Sequence, residues 1–376
     1  MNIAVIGAGY VGLVTAAVFS DLGNNVSVVD IDKNKINLLK KGTVPFFEPS
    51  LLEYIAKNTK DRRLSYTTSY KEAVGKSDVV FICVGTPPKD NGEADLKYLF
   101  SAIEETAKHI SHFTLIVVKS TIPTGYQDDL EEIVKKHTKQ QFEFASCPEF
   151  LREGTALEDS LTPDRIVIGT KSQKAQKTLL ELHAPLPGER ILCDIASAQL
   201  IKYASNSYLA TKVSFANAIS ILCEEIGADV EKVLAGVGAD RRIGRSFLSP
   251  GVGYGGSCLP KDVQAFIAIA SHFGYDFDLL RAVDAINNLQ IERFIAKIKN
   301  VLAGKKGSRL DGKKLAVLGL SFKPNTDDMR DAPSIKIVSH LLDLGASVIA
   351  YDPKAIASAK TIFPTIVYAE IGRAHV

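Results

Sequence analysis

The sequence predicts an α/β fold in three parts: an N-terminal doubly wound Rossmann domain, a central α domain built on one long helix, and an incomplete C-terminal Rossmann-like domain. Short apolar runs alternate with helical patterns near the N-terminus, a long segment without Gly or Pro follows, and a second strand-glycine junction appears near the C-terminus. A chain of 376 residues has room for two or three domains. We place the three parts at residues 1–193, 194–303 and 310–369.

The predicted strands of the first domain are short apolar or β-branched runs. Continuous apolar strands are typical of a parallel sheet with helices on both faces. The runs lie at residues 3–6, 26–29, 79–84, 115–118 and 166–168.

One long helix is predicted for the central domain. Residues 195–226 contain neither Pro nor Gly, and their apolar residues recur every three or four positions until Gly227. Further helical patterns cover 263–273 and 282–302, and the Gly/Lys-rich residues 304–309 indicate a solvated linker.

Two segments near the C-terminus repeat patterns from the N-terminus. Residues 314–319 match 2–7, and residues 347–352 match 27–30, in the same order, which predicts a second βαβ unit. Residues 370–376 can be encoded by GAGATCGGAAGAGCACACGTC, a DNA-sequencing adapter sequence, so we expect a non-native tail there and a third domain cut short.

Composition excludes several classes of protein. Lys and Arg total 45 against 43 for Asp and Glu, and no long basic run is present, so nucleic acid is not an expected partner. No stretch reaches the ~20 apolar residues of a membrane span, and the chain starts in a strand pattern without a secretory signal. We therefore expect a cytoplasmic protein without a membrane partner.

The five cysteines are odd in number and lack a Cys-x-x-Cys pair, which predicts neither a disulfide framework nor a metal site. Cys83, Cys147, Cys193 and Cys223 are expected to be small buried hydrophobic residues. Cys258 differs because it follows a glycine-rich loop at the start of a helical pattern, where the helix dipole and Lys261 favour a thiolate. The alternative is a flexible loop with an incidental cysteine.

A dinucleotide fingerprint follows the first strand. Gly7 permits a tight turn, Gly9 lets a pyrophosphate approach the backbone, and Gly12 lets helix and strand pack closely. Asp30, eighteen residues beyond Gly12 at the end of the second strand, can accept hydrogen bonds from ribose hydroxyls and would repel a 2′-phosphate, so NAD is favoured over NADP. A glycine turn that binds nothing is the alternative.

The loop at 255–262, Gly-Gly-Ser-Cys-Leu-Pro-Lys-Asp, resembles the UDP-glucose/GDP-mannose 6-dehydrogenase family, as does the fingerprint. Further segments resemble the family's motifs in order, at 118–125, 147–154, 202–206 and 319–330. The resemblance runs from residue 1 to about 368. Through residues 247–251 and 322–328, this resemblance favours UDP-glucose as the substrate.

The resemblance implies oxidation of UDP-glucose to UDP-glucuronate by two hydride transfers to NAD, supplying glucuronate for polysaccharide synthesis. Cys258 would form a thiohemiacetal and then a thioester. Lys202 and Asn206, one helical turn apart, would stabilise alkoxide charge. Asp262 with Thr121 would hold a water or proton relay, and Glu149 would act as base in thioester hydrolysis. Spacing alone does not separate these roles.

The resemblance also implies two sets of ligand contacts and a homodimer through the central helix, with Arg242 reaching the diphosphate from a neighbouring subunit. The expected NAD contacts, together with the fingerprint, are Gly7, Gly9, Tyr10, Val11, Gly12, Asp30, Lys35, Thr86, Thr121, Glu153, Lys261 and Arg330. The expected nucleotide-sugar contacts are Glu149, Phe150, Leu151, Arg152, Glu153, Lys202, Asn206, Arg242, Phe247, Leu248, Ser249, Pro250, Gly251, Gly255 and Lys323.

Four other functions share parts of this pattern. GDP-mannose and UDP-N-acetyl-hexosamine 6-dehydrogenases resemble the chain in the same motifs. A β-hydroxyacid dehydrogenase also joins a Rossmann domain to a long helix with Lys-x-x-x-Asn, but it needs no thiol, and the Cys258 loop argues against it. A non-catalytic dinucleotide-binding protein is the alternative of another class, which the presence of the expected catalytic side chains disfavours.

Overall fold

A computed structural model describes residues 1–303 and 309–370. Most of the predicted linker at 304–309 and of the predicted tail at 370–376 lies outside the described residues. The chain divides into two compact units, Met1–Tyr203 and Ala204–Val376. The division into three parts made from the sequence stays a prediction. Within the part of the chain that the structure describes, no helix has the length and apolar character needed to cross a membrane.

The first unit contains an eight-stranded sheet with the order β3-β2-β1-β4-β5-β6-β7-β8. Its strands are β1 (Asn2–Ile6), β2 (Asn25–Val29), β3 (Leu64–Thr67), β4 (Val79–Ile82), β5 (Thr114–Val118), β6 (Phe142–Ser146), β7 (Arg165–Gly169) and β8 (Glu189–Cys193). The strands pair in parallel except β6 with β7, which are antiparallel. The predicted strand at 166–168 is β7, and β7 and β8 run antiparallel to the other six strands.

Helices cover both faces of this sheet, which confirms the doubly wound prediction. Along β1 the side chains alternate, so that Ile3 and Val5 belong to one buried apolar cluster while Ala4 and Ile6 belong to the other. The helices of the unit are α1 (Tyr10–Asp21), α2 (Lys33–Lys40), α3 (Leu51–Lys60), α4 (Tyr70–Val74), α5 (Lys97–His109), α6 (Gln127–His137), α7 (Ala156–Leu161) and α8 (Gln173–His183).

The long helix α9 (Ile195–Ile226) has the predicted bounds and runs from the end of the first unit into the second. The next helices are α10 (Val230–Ala239), α11 (Leu259–His272) and α12 (Asp278–Ala303). The helices α11 and α12 each begin four residues before the predicted start, and Pro260 in the first turn of α11 suits a helix start, where its missing N–H is not needed.

The second unit ends in a small parallel sheet with the order β11-β10-β9. Its elements are β9 (Lys314–Leu318), α13 (Pro333–Asp343), β10 (Ser347–Tyr351), α14 (Ile356–Ile362) and β11 (Val367–Tyr368). One apolar cluster joins this sheet to α12 and α13 through residues such as Ile291, Val338 and Val348. This confirms the Rossmann-like character of the C-terminal part.

The repeated strand-glycine junction also has the same hydrogen bonds in both units. Gly319 N–H donates to Tyr351 O at 2.8 Å, and Leu320 N–H donates to Asp352 Oδ2 at 2.8 Å. The equivalent donors of the first unit are Gly7 and Ala8, and their acceptors are Val29 and Asp30. The similarity between the two segments of sequence is therefore structural.

Asp352 differs from Asp30 in how fully its carboxylate is used. It also accepts hydrogen bonds from the amides of Lys354 and Ala355, both at 2.8 Å, and it is 3% exposed. Burial opposes its ionisation, but these backbone donors hold the pKa of Asp352 below its ordinary value. The second junction thus uses its carboxylate to hold the backbone.

Three of the four cysteines expected to be buried are buried: Cys83, Cys147 and Cys223. Burial raises the pKa of Cys83 to about 12 and raises that of Cys147, so both thiols stay protonated at neutral pH. Cys193 corrects the expectation, because it is only half-buried. It ends β8, the outermost strand of the sheet, where one side lacks a neighbouring strand.

His183 is a buried titratable group in the first unit. Its Nδ1 lies 2.8 Å from Leu179 O, and its ring meets the edge of Phe19 with ring centres 5.2 Å apart. Burial, with a contribution from Lys119, lowers the pKa of His183 from 6.5 to about 4. A histidine with a lowered folded-state pKa stabilises the fold above pH 6.5 and loses that contribution as the pH falls towards 4.

We therefore expect His183→Phe to weaken the acid sensitivity of the protein. Between pH 7 and pH 5 the wild type should lose about 2 kcal/mol more unfolding free energy than the variant, because His183 of the unfolded chain binds a proton that the buried ring does not. Urea unfolding at both pH values measures this difference. The exposed His272→Phe is the control. Equal losses in wild type and His183→Phe would contradict the prediction.

Candidate active site

The glycine fingerprint forms a tight turn between β1 and α1. Gly7 has φ +102°, in the left-handed region that favours glycine, and a Cβ on Gly12 would lie 1.9 Å from Gly7 O. A Cβ on Gly9 would meet no atom of the described residues within 4 Å, and α1 begins directly after it. The turn therefore leaves open backbone at a helix N-terminus, which suits a pyrophosphate.

Asp30 holds this turn from the end of β2. Its Oδ2 accepts from Ala8 N–H at 2.8 Å and from Lys35 Nζ at 3.0 Å, and its Oδ1 accepts from Asp32 N–H at 2.9 Å. Lys35, an expected NAD contact, is thus placed beside Asp30. The open backbone at Gly9 and a carboxylate at the end of the second strand fit a bound NAD.

Thr86 and Thr121 are joined at the carboxyl ends of β4 and β5. Thr86 Oγ1 donates to Thr121 O at 2.9 Å, and Thr86 is buried. Because β1 and β4 are neighbours whose connections run in opposite directions across the sheet, this edge lies at the switch point where open α/β sheets bind ligands. Both predicted residues therefore lie at the expected edge.

Glu48 is a buried carboxylate that the sequence analysis missed. Its Oε2 accepts from Gly154 N–H at 2.6 Å and its Oε1 accepts from Ala156 N–H at 2.7 Å, and Tyr10 Oη also accepts from Gly154 N–H at 2.8 Å. These bonds fix the backbone beside Glu153, which is buried. More than a hundred residues separate Glu48 from its partners, so no local pattern signals it.

Glu149 and Lys202 form a buried ion pair. Glu149 Oε1 lies 2.8 Å from Lys202 Nζ, and the two side chains are 7% and 4% exposed. Glu149 Oε2 also accepts from Leu151 N–H at 2.6 Å. Burial alone opposes ionisation, but Lys202, the amide of Leu151 and Lys119 together hold the pKa of Glu149 below its ordinary value. The Glu149 carboxylate is therefore ionised at neutral pH.

Phe150 lies against two cations. The guanidinium carbon of Arg165 is 3.9 Å from its ring centre, and Lys202 Nζ is 5.4 Å away. Such contacts attract a cation to the ring face. The aromatic ring thus helps to hold Lys202, which is also paired with Glu149. Arg165 was not among the predicted residues.

In the second unit, Cys258 is the N-cap residue of α11 and is half-buried. Its carbonyl accepts from Asp262 N–H at 2.9 Å. The side chain of Asp262, 1% exposed, accepts from Lys261 Nζ at 2.5 Å through Oδ1 and from Asn206 Nδ2 at 2.6 Å through Oδ2. The structure thus groups a thiol at a helix N-terminus with a buried and doubly held carboxylate.

The predicted arginines are exposed, and each faces an aspartate. Arg152 pairs with Asp159, and Arg330 pairs with Asp328 in the same way. The guanidinium of Arg242 contacts both carboxylate oxygens of Asp240, and the side chain is 89% exposed. These guanidiniums are held at the surface of their units, where a ligand would have to compete with the aspartates.

The predicted sugar-binding segment at 247–251 has one buried side chain. Leu248 is 1% exposed and packs with Ala216 and Leu234. Phe247 is exposed with φ 63°. The remaining members of the segment, Ser249, Pro250 and Gly251, are exposed or half-buried.

Gly255 and Lys323 lie at two other places in the second unit. A Cβ on Gly255 would lie 2.2 Å from Asp331 O, so only glycine fits there. Lys323 Nζ is 5.6 Å from the ring centre of Phe322.

The fold and these groups define an NAD-dependent dehydrogenase, and comparisons with known proteins agree. The UDP-glucose/GDP-mannose dehydrogenase family matches along most of the chain. Its NAD binding domain covers residues 1–187, its central domain 196–289 and its UDP binding domain 316–374.

Individual relatives match over nearly the whole chain. UDP-glucose 6-dehydrogenase YwqF of Bacillus subtilis is 48% identical, over 98% of this chain and 83% of that protein. A UDP-glucose dehydrogenase structure from Pyrobaculum islandicum superposes with a TM-score of 0.94 at 38% identity, covering 98% of this chain and 86% of that one. A UDP-D-ManNAc dehydrogenase structure from Pyrococcus horikoshii gives a TM-score of 0.85 at 29% identity, covering 94% and 84%.

The chain therefore belongs to the UDP-glucose/GDP-mannose dehydrogenase family. It is an NAD-dependent nucleotide-sugar dehydrogenase, as the resemblance of its motifs implied.

Removing one member of the buried ion pair should be costly. We expect Lys202→Met to lower the unfolding free energy by about 3–5 kcal/mol at pH 7, because it leaves the Glu149 carboxyl group buried without its cation. Adding Glu149→Gln should restore part of the loss. Urea unfolding measures both variants.

A surface pair provides the control for this experiment. Lys135 pairs with Glu131 at 3.2 Å in the open, so Lys135→Met should cost at most about 1 kcal/mol. Similar losses for Lys202→Met and Lys135→Met would show that Glu149 and Lys202 are not a desolvated ion pair.

Proposed function

We propose that the protein oxidises UDP-glucose to UDP-glucuronate with two NAD per sugar. The observation that carries the proposal is the half-buried thiol of Cys258 at the N-terminus of α11, one turn before the buried carboxylate of Asp262. A thiol suits a reaction that carries an aldehyde on to the acid level, because its addition gives a carbon that bears a hydroxyl and can lose a second hydride as the hydroxyl loses its proton. The named UDP-glucose 6-dehydrogenase relatives support glucose as the sugar.

In the first oxidation the sugar C6 alcohol loses a hydride and a proton and becomes an aldehyde. We assign Lys202 and Asn206 to stabilising negative charge that develops on the oxygen. Asp262 and Thr121 are assigned to the path of the proton. Asn206 already donates to Asp262, so its amide is oriented before substrate arrives.

In the second oxidation the Cys258 thiolate adds to the aldehyde carbon and gives a thiohemiacetal. Loss of a second hydride and the hydroxyl proton forms a thioester. Water then adds to the thioester, the thiolate leaves, and the carboxylate product forms. Glu149 is assigned as the base for that water, because its lowered pKa keeps it deprotonated at neutral pH.

Bound NAD would supply the hydride acceptor for both oxidations. We assign NAD binding to the glycine turn after β1 and to the other residues expected from the sequence. The full set is Gly7, Gly9, Tyr10, Val11, Gly12, Asp30, Lys35, Thr86, Thr121, Glu153, Lys261 and Arg330. Asp30 is the member that selects NAD, since a 2′-phosphate would meet its charge.

The nucleotide sugar is assigned to the backbone and side chains of four segments. They are residues 149–153, Lys202 with Asn206, residues 247–251 with Gly255, and Lys323. Arg242 is proposed to reach the diphosphate of the substrate in a neighbouring subunit. Its guanidinium can form two parallel hydrogen bonds to a diphosphate, and its exposed position is needed for such a contact.

A substrate panel tests the proposed sugar. Purified protein with NAD should give NADH fastest from UDP-glucose, and at least about tenfold slower from GDP-mannose and UDP-N-acetylmannosamine, because a site that binds substrate hydroxyls rejects a compound that does not present the same hydrogen-bonding groups. Absorbance of NADH measures the rates. Faster turnover of either alternative would reassign the substrate within the family.

Cys258→Ser tests the covalent step. The variant should bind NAD as the wild type does, form one NADH per sugar and release an aldehyde, because a serine hydroxyl is a far weaker nucleophile than a thiolate. Mass spectrometry of a hydrazine-trapped product identifies the aldehyde. Cys193→Ser, at another half-buried cysteine, should retain full turnover. Two NADH per sugar from Cys258→Ser would rule out catalysis through this thiol.

We also propose that the protein is a cytoplasmic homodimer that supplies glucuronate for polysaccharide synthesis. A stripe on α9, seven residues apart, supports the dimer: Tyr208, Phe215 and Leu222 are all exposed large apolar side chains. Such a heptad-spaced stripe is typical of a helix that packs against another helix.

Light scattering tests the dimer. The wild type should have the mass of two chains, and Phe215→Glu should have the mass of one, because it places a charge in the centre of the stripe. Leu289→Glu, an exposed apolar position on α12, is the control and should stay dimeric. A wild type with the mass of a single chain would contradict the proposal.

A further inference from the structure

The glycine-rich loop before Cys258 is held at its backbone by two helices. Gly251 N–H donates to Asn217 Oδ1 on α9 at 2.8 Å, and Gly251 O accepts from Gln290 Nε2 on α12 at 2.7 Å. Asn217 is fully buried. The start of the loop is therefore fixed, although its composition alone would suggest mobility.

Asn287 holds the middle of the same loop. Its Oδ1 accepts from Tyr254 N–H at 2.7 Å, and its Nδ2 donates to Tyr254 O at 3.1 Å. Asn287 is 7% exposed, so these bonds are shielded from water. Two bonds of opposite direction to one residue set the orientation of both its peptide groups.

The adjoining glycines show how closely the loop is packed. Gly253 has φ +107°, and a Cβ there would lie 3.0 Å from Asn287 Oδ1. On the other side Gly256 N–H donates to Arg330 O at 3.0 Å, and a Cβ on Gly256 would lie 2.6 Å from the Phe322 ring. Gly253 lies close to Asn287, and Gly256 lies close to Phe322, so a larger side chain would clash at either position. The backbone before Cys258 therefore has little conformational freedom.

We infer that Asn287 is a positioning residue for Cys258. It fixes Tyr254, four residues before the thiol, and so sets where the N-terminus of α11 presents Cys258 to the aldehyde. Asn287 acts through the loop and not on the reacting atoms. This inference rests on the proposed covalent role of Cys258, and it predicts that loss of Asn287 slows the second oxidation more than the first.

Two substitutions at Asn287 and one matched control test the inference. Asn287→Ala removes both bonds to Tyr254, whereas Asn287→Asp has nearly the same shape, keeps the acceptor for Tyr254 N–H and loses the donor to Tyr254 O. Asn288→Ala is the control, because Asn288 is the next residue, is exposed and contacts Asp284 and Lys336 instead of the loop.

Two kinds of readout are needed. The first is kinetic: the rates at which UDP-glucose and UDP-glucose 6-aldehyde are oxidised with NAD, and the KM for NAD. The second is the rate at which iodoacetamide alkylates Cys258 across a range of pH, with the alkylated residue identified by mass spectrometry. Asn287→Ala should oxidise the aldehyde about 10- to 100-fold more slowly, as expected for a misplaced reacting group. Its alkylation profile should shift, and its KM for NAD should stay unchanged. Asn287→Asp should show a smaller loss, and Asn288→Ala none.

Wild-type aldehyde oxidation and alkylation in both Asn287 variants would overturn the inference. Equal slowing of both oxidations with an unchanged alkylation profile would also overturn it, since that pattern indicates general destabilisation. If Asn287→Ala does not fold, the isosteric Asn287→Asp carries the test. Alkylation needs no substrate, so it tests Asn287 even if the wild type fails to oxidise the aldehyde, a result that would refute the proposed function instead.

Discussion

The buried ion pair of Glu149 and Lys202 joins two segments of the first unit that are distant in sequence. A charged group out of water costs several kcal/mol unless an opposite charge and hydrogen-bond donors surround it. Lys202 at the start of α9 must therefore meet the segment after β6, where Glu149 and the amide of Leu151 lie. Asp262 is also buried, and Lys261 and Asn206 donate to its side chain. The side chains of Glu149, Lys202 and Asp262 are thus held in place before any ligand binds.

Close approach of backbones is the second constraint, and it explains where glycine occurs. Gly12 packs against the carbonyl of Gly7, and Gly255 against that of Asp331. The aspartates of the two strand-glycine junctions differ in their hydrogen bonds. Asp30 accepts from the amide of Ala8 and lies at the edge of the sheet where a ribose can bind. The carboxylate of Asp352 accepts from the backbone amides of four residues. A similar motif therefore does not imply a similar ligand.

The helices and strands could be predicted from the sequence where the pattern of neighbouring residues indicates them. The bounds of α9 follow from an uninterrupted helical pattern, and β1, β4 and β5 from continuous apolar runs. The strands β3, β6 and β8 were missed because they contain polar or charged residues. The antiparallel direction of β7 depends on the path of the chain between β6 and β7, and the pattern of apolar residues does not indicate that path. Glu48 and Asn287 were missed because their partners are distant in sequence.

The buried carboxylate of Glu149 is ionised because Lys202, the amide of Leu151 and Lys119 lower its pKa. Infrared difference spectra between the wild type and Glu149→Gln, recorded at about pH 5, test this most directly, since burial without a partner would keep a carboxyl protonated there. We predict that the wild type contributes a carboxylate band that the variant lacks. A protonated carboxyl band in the wild type that disappears in the variant would contradict the account.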